Sequence, residues 1–145
     1  MNPLHDNPAL HLYAICSAVL ALQLLLLAGW TGTVRVMRKT YVNPEDAKLN
    51  KAEQSEADHP DVQRVKRAHQ NAIENVLPFF VVGALYVLSG PSKLGAQAYL
   101  ITFTVARLLH SLFYLFGKQP FRTMMFAIGV LSIVGMAVHV LRVAL

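Results

Sequence analysis

The chain has 145 residues, 54% of them hydrophobic and only 14% charged, with a formal net charge of +5 and a mean hydropathy of +0.42. A water-soluble domain carries about 25% charged residues, so this composition excludes a soluble globular domain and leaves no length for one beside a membrane domain. The single cysteine, Cys16, excludes an internal disulfide. The basic residues sit between and at the ends of apolar segments, which points to topology and anionic lipid rather than to nucleic acid. For the few basic residues within helices, an anionic ligand is the alternative.

The short N-terminal stretch Met1 to Asn7 has no basic cluster, and the apolar run after it is longer than a signal-peptide core. It reads as a retained first helix. A crossing needs about 20 apolar residues, and four segments meet that length, at about 9–36, 67–88, 94–116 and 121–144. Cys16 lies within the first of them and reads as a small buried hydrophobe. Between the first two lies a polar loop at about 38–66, where Asn43-Pro44-Glu45-Asp46 and Asp58-His59-Pro60-Asp61 can each open a short helix. Ser89-Gly90-Pro91-Ser92 and Gly117-Lys118-Gln119-Pro120 are tight turns between the later segments. The predicted fold is all-α, a single four-helix antiparallel transmembrane bundle over residues 1–145. Lys and Arg concentrate in the polar loop and in the turn at 117–120, which predicts both termini on the side away from the cytoplasm.

Ionisable groups inside membrane helices cost several kcal/mol unless paired or facing a wet cavity. On the second segment Arg67, Asn71 and Glu74 are spaced by four and three residues and share a face. They read either as an internal ion pair relayed through Asn71 or as ligand-binding groups. On the third segment Arg107, His110 and Tyr114 share a face in the same way, with Glu74 as the one carboxylate deep enough to pair with Arg107. Arg35 and Arg122, at the loop-side ends of the first and fourth segments, complete a cationic pocket suited to a small anion bearing carboxylates. There is no HExxH pair or other metal signature, no Walker motif, no GxGxxG and no GxSxG.

The run from Arg67 to Phe79, Arg67-Ala68-His69-Gln70-Asn71-Ala72-Ile73-Glu74-Asn75-Val76-Leu77-Pro78-Phe79, resembles the second-helix motif of the MAPEG family (membrane-associated proteins in eicosanoid and glutathione metabolism). Tyr41-Val42-Asn43-Pro44-Glu45-Asp46, Asp61-Val62-Gln63-Arg64-Val65, Leu85 to Pro91, Ala106 to His110 and Tyr114-Leu115 continue the likeness over nearly the whole chain. They resemble the branch that holds microsomal glutathione transferase and microsomal prostaglandin E synthase. The resemblance implies a homotrimer with glutathione bound between neighbouring subunits near the cytoplasmic side. It implies glutathione contacts at Arg35, Arg67, Asn71, Glu74, His110, Tyr114 and Arg122, with Arg122 stabilising the thiolate and Asp46 as a catalytic helper. Gln70 and Gln23 stand where the synthase has basic residues, and Thr123 where it has a serine. The implied activity is conjugation of glutathione to hydrophobic electrophiles or reduction of lipid hydroperoxides, in a bacterial inner membrane or an endoplasmic reticulum. A synthase-like isomerase and a non-enzymatic lipid-binding protein are the alternatives.

Overall fold

In the computed structural model, which describes residues 6–145, the first five residues of the N-terminal stretch lie outside the described part. Five helices follow: α1 (Pro8–Arg38), α2 (Pro44–Leu49), α3 (Pro60–Leu88), α4 (Lys93–Leu115) and α5 (Phe121–Ala144). All but α2 are long and apolar enough to cross a bilayer.

The helix ends follow from local chemistry. Asn7 caps α1, its side-chain oxygen accepting from the amides of Ala9 (3.0 Å) and Leu10 (3.1 Å) ahead of Pro8 in the first turn. Ser92 caps α4 in the same way. Gly90 and Gly117 take φ of +71° and +65°, the left-handed conformation that stops α3 and α4 and that glycine adopts without penalty.

One boundary differs from the expected one. The second span begins at Pro60, seven residues before Arg67, so Pro60 opens a long helix and not a separate short one. The added turns are polar on the outside, but they bury Val62 and Val65 against Val34 of α1 with Leu115 of α4 beside them. That apolar pair at helical spacing is what carries α3 out past the apolar span.

α3 and α4 form the middle of the bundle. α1 packs on both from one side, α5 packs on both from the other, and α1 and α5 do not meet. The shared core stacks Phe79 on Phe103 with ring centroids 4.4 Å apart and planes 2° from parallel. Tyr13 of α1 crosses α3 where Gly83 presents no side chain, and its hydroxyl donates to the carbonyl of Phe80 at 2.7 Å. Cys16 is buried in this core as an unpaired thiol. Most large apolar side chains elsewhere, such as Leu25, Leu26, Leu88 and Leu131, point outward, as they do where the surroundings are lipid.

The polar loop is tied down at two places. The backbone amide of Ser55 donates to the Tyr41 carbonyl at 2.7 Å while Ser55 Oγ accepts from the Tyr41 amide, which closes the segment carrying α2 into a compact lobe. Asp58, 8% exposed at its side chain, bridges Arg35 of α1 (3.2 Å) and Lys66 of α3 (3.0 Å). Burial pushes the Asp58 carboxyl up, but the hydrogen bonds and charges of Arg35 and Lys66 outweigh it and hold the group below the ordinary carboxylate range. A depressed folded pKa gives stability that is present above the unfolded value and lost as pH falls through the folded one. Asp58→Asn removes that contribution, about 1 kcal/mol because both cations stay partly exposed to solvent. Amide hydrogen exchange across residues 40–59 is expected to quicken in this variant at neutral pH, and in the wild type only when acidified below the usual aspartate pKa.

Candidate functional site

The buried polar groups converge between α3, α4 and α5. Arg107 of α4 is fully buried. Its aliphatic stem runs against Gly129 of α5, where a Cβ would lie 3.3 Å from Arg107 Cδ. Arg107 Nη2 donates to Asn71 Oδ1 at 2.7 Å and to the Asn71 carbonyl at 3.3 Å. The Arg107–Glu74 pair considered from sequence does not form. Glu74 points outward from α3 and accepts from Gln70 at 3.0 Å. The Arg67–Asn71–Glu74 relay does not form either, because Asn71 is committed to Arg107 and Arg67 makes no ion pair among the described residues. The three still share one face of α3, with Glu74 and Arg67 exposed and free to meet something outside this chain.

One turn further along α4, His110 is buried and joins α5. Its Nδ1 lies 2.9 Å from the Arg122 carbonyl oxygen. A carbonyl only accepts, so Nδ1 carries the proton and Nε2 is left as an acceptor. The imidazole meets the Tyr114 ring edge-on at 5.8 Å, and the Arg122 guanidinium lies over the same Tyr114 ring, 4.6 Å from its centroid. Gln119, with its amide turned to satisfy both neighbours, accepts from Arg122 Nη2 at 2.6 Å and Nε at 3.3 Å and donates to Thr123 Oγ1 at 3.0 Å. Arg122 is thus steered by a ring below and an amide beside it. No carboxylate neutralises it among the described residues, so its charge is available to an anion.

Three atoms in this region are buried without a hydrogen-bond partner among the described residues: Arg107 Nε, Arg107 Nη1 and His110 Nε2. Buried polar atoms are almost always satisfied in a working assembly, so this cluster has unfilled bonding capacity for a polar group. No group of three or more metal-ligating side chains occurs among the described residues.

His110, Tyr114 and Arg122 are therefore brought together within one chain, with Asn71 next to them through Arg107. Arg35, Arg67 and Asp46 are not. Arg35 is engaged with Asp58, and Asp46 lies on the short helix α2, where its carboxylate accepts from Asn43 Nδ2 at 3.1 Å. Sequence reasoning placed Arg107 in the polar set with Glu74 as its partner, and it named Asp58 and Gln119 only as parts of turn and cap motifs. A buried arginine with one carboxylate in reach was a signal for Arg107. Gln119 carried none, since an amide in a Gly-Pro turn reads as solvated.

A bundle of four apolar spans with a buried arginine and a pinned histidine between them defines the class: an integral, multi-pass membrane protein. Comparison with known proteins narrows the class. A profile of the MAPEG family matches residues 13–142. The chain is 35% identical over 138 residues to prostaglandin E synthase of Homo sapiens, covering 94% of this chain and 90% of that protein. It is 33% identical over 147 residues to microsomal glutathione S-transferase 1 of Rattus norvegicus, covering 98% and 95%. It is 34% identical over 137 residues to prostaglandin E synthase of Equus caballus, covering 93% and 89%. The chain belongs to the MAPEG family.

Asn71→Ala leaves the buried Arg107 cation without its side-chain acceptor. Breaking a buried charged contact from one side costs about 3 kcal/mol, so thermal unfolding in detergent is expected at a clearly lower temperature. Gln70→Ala, which removes only an exposed bond to Glu74, is expected to leave the unfolding temperature within a degree or so of wild type.

Proposed function

We propose that the protein is a glutathione-dependent membrane enzyme that activates the glutathione thiol for attack on hydrophobic electrophiles and lipid hydroperoxides. The observation that carries this reading is the Arg122 guanidinium, uncompensated by any carboxylate in the described chain and oriented by Tyr114 and Gln119. Membership of a family whose relatives include a glutathione S-transferase supports it. A thiol has a pKa near 8.5, so little thiolate exists at neutral pH. A fixed cation next to the sulfur favours the anion, and each pKa unit of lowering corresponds to about 1.4 kcal/mol. Arg122 supplies that charge without losing its own proton.

In this reading Asn71 and Glu74 hold the amide and amine groups of glutathione, Arg35 and Arg67 its carboxylates, and His110 Nε2 accepts one of its N–H groups. Arg35 is paired with Asp58 and Arg67 is exposed; in this reading the complete site forms between neighbouring copies in a homotrimer. Asp46 acts from the loop as a catalytic helper. The loop side faces the cytoplasm, with both termini opposite, in a bacterial inner membrane or an endoplasmic reticulum. The second substrate is hydrophobic and arrives through the bilayer. The thiolate attacks the electrophilic carbon, forming the C–S bond as the leaving group departs with the bonding pair. With a hydroperoxide it attacks oxygen, releases the alcohol, and a second glutathione completes the disulfide and water.

The relatives named prostaglandin E synthase favour a second reading, an isomerase that returns its glutathione unchanged. Glutathione consumption separates the two. With a reactive chloronitroarene or cumene hydroperoxide, the purified protein is expected to consume glutathione in step with product, and Arg122→Ala is expected to lower kcat by about 100-fold. Turnover of Arg122→Ala at the wild-type rate would contradict the role given to Arg122. Isomerisation of an endoperoxide with no net glutathione loss, and no conjugation or peroxide reduction, would select the isomerase.

A further inference from the structure

The α1–α4 face of the bundle carries a second feature that the glutathione reading does not use. Between α1 and α4 lies a trough of about 440 Å³, walled by Leu22, Leu26, Leu108 and Leu112 over a floor of Gln23 and Ser111. A second cavity of about 330 Å³ continues toward the loop side, and the two share Trp30, Leu112 and Leu115. Together they form one groove that starts in the middle of the spans and ends at the polar boundary among Arg38, Asp61 and Arg64.

The two ends differ in chemistry. The inner trough is almost wholly apolar. Gln23 Nε2 donates to Ser111 Oγ at 2.6 Å and to the Arg107 carbonyl at 3.1 Å, which keeps the floor's polar atoms turned inward. Its rim residues Leu22 and Leu26 are largely exposed on the lipid-facing side, so an occupant enters from the bilayer. At the outer end Asp61 is bonded to Arg38 at 2.6 Å, which cancels both charges. Arg64 makes no ion pair or hydrogen bond among the described residues and leaves the mouth with one net positive charge. Its guanidinium lies beside Gly117, where a Cβ would sit 3.1 Å from Nη1. A fork-shaped cation at the membrane boundary is matched to a carboxylate.

We infer that this groove binds a single-chain lipid carboxylate, a fatty-acid anion, with its chain along the α1–α4 trough and its headgroup on Arg64. One arginine without an ion-pair partner among the described residues matches one carboxylate charge, and the apolar walls match a hydrocarbon chain. The site is separate from the His110–Arg122 cluster. Leu108, Leu112 and Leu115 lie about 150° around α4 from His110, on the opposite face of that helix. The proposal therefore stands whether or not glutathione is the protein's cofactor.

Trp30 is the sole tryptophan of the chain and lies where the two cavities join, so it reports occupancy directly. The full-length protein, in nanodiscs of zwitterionic phosphatidylcholine at alkaline pH, is titrated with dibromostearic acid and with its methyl ester. Bromine quenches indole fluorescence on contact. Expected is saturable quenching by the acid and about tenfold weaker quenching by the ester. Arg64→Gln should bring the acid down to the ester's level and leave the ester unchanged. Leu26→Phe, which narrows the trough from its lipid side, should weaken both. Equal, non-saturating quenching by acid and ester would mean simple partitioning and would overturn the proposal. So would an Arg64→Gln protein that binds the acid as wild type does, no quenching by either probe, or displacement by phosphatidylglycerol as effective as by unlabelled stearate. Because the readout is fluorescence and not turnover, failure here leaves the glutathione reading untouched, and loss of glutathione activity leaves this one untouched.

Discussion

A fully buried arginine in the middle of a membrane bundle governs how the rest of this protein is arranged. Arg107 has no carboxylate partner among the described residues. Its charge is met by the side-chain and backbone oxygens of Asn71, while Gln23 of α1 grips the backbone carbonyl at the same residue. A charge in such a place is costly, so the helices around it are fixed in register by the few atoms that solvate it. Asn71 sets α3 against α4, Gly129 allows α5 to close over the arginine stem, and Gln23 locks α1 to the other side. The aromatic stack of Phe79 on Phe103 then fills the core on the terminal side of this polar layer.

The same layer leads to the functional groups. His110 is one turn from Arg107, and its hydrogen bond to the Arg122 carbonyl ties the end of α4 to the beginning of α5. The short turn between these helices contributes Gln119, so Arg122 is placed by three contacts from within fifteen residues of sequence. The parts of this cluster come from helix ends closed by a tight turn. By contrast Arg35, in the last turn of α1, and Asp46, on α2, are held by separately tied structure on the loop side. Asp58 holds Arg35 and Lys66 together there, and the Tyr41–Ser55 clasp holds α2. The groups named for the proposed site are thus held by two independent local structures.

Much of this was legible in the sequence for simple reasons. Four apolar runs, the last three separated by turns containing Gly and Pro, point to a bundle of spans, and polar residues three and four apart within those runs announce shared faces. The Asn71–Arg107 contact was harder, because spacing shows which residues share a helix face but not which neighbouring helix that face meets. Glu74 was a plausible partner for Arg107 on charge alone. Geometry turns Glu74 outward and gives its place to an amide. The start of α3 was misjudged because Pro60 to Lys66 are mostly polar; only the pair Val62 and Val65, buried against Val34, shows why the helix continues. The apolar groove beside Trp30 could not be read at all, since leucines facing lipid and leucines walling a groove look alike in sequence.

The central claim is that Arg122 creates a glutathione thiolate at neutral pH, and the most direct test is to observe that anion in its bound state. Purified protein in detergent is mixed with glutathione across a pH series, and the thiolate is followed by its ultraviolet absorbance, with Arg122→Ala alongside. The account predicts a thiolate that forms on the wild-type protein well below the pKa of free glutathione and vanishes in the variant. Bound glutathione that titrates like the free thiol in both proteins would contradict it.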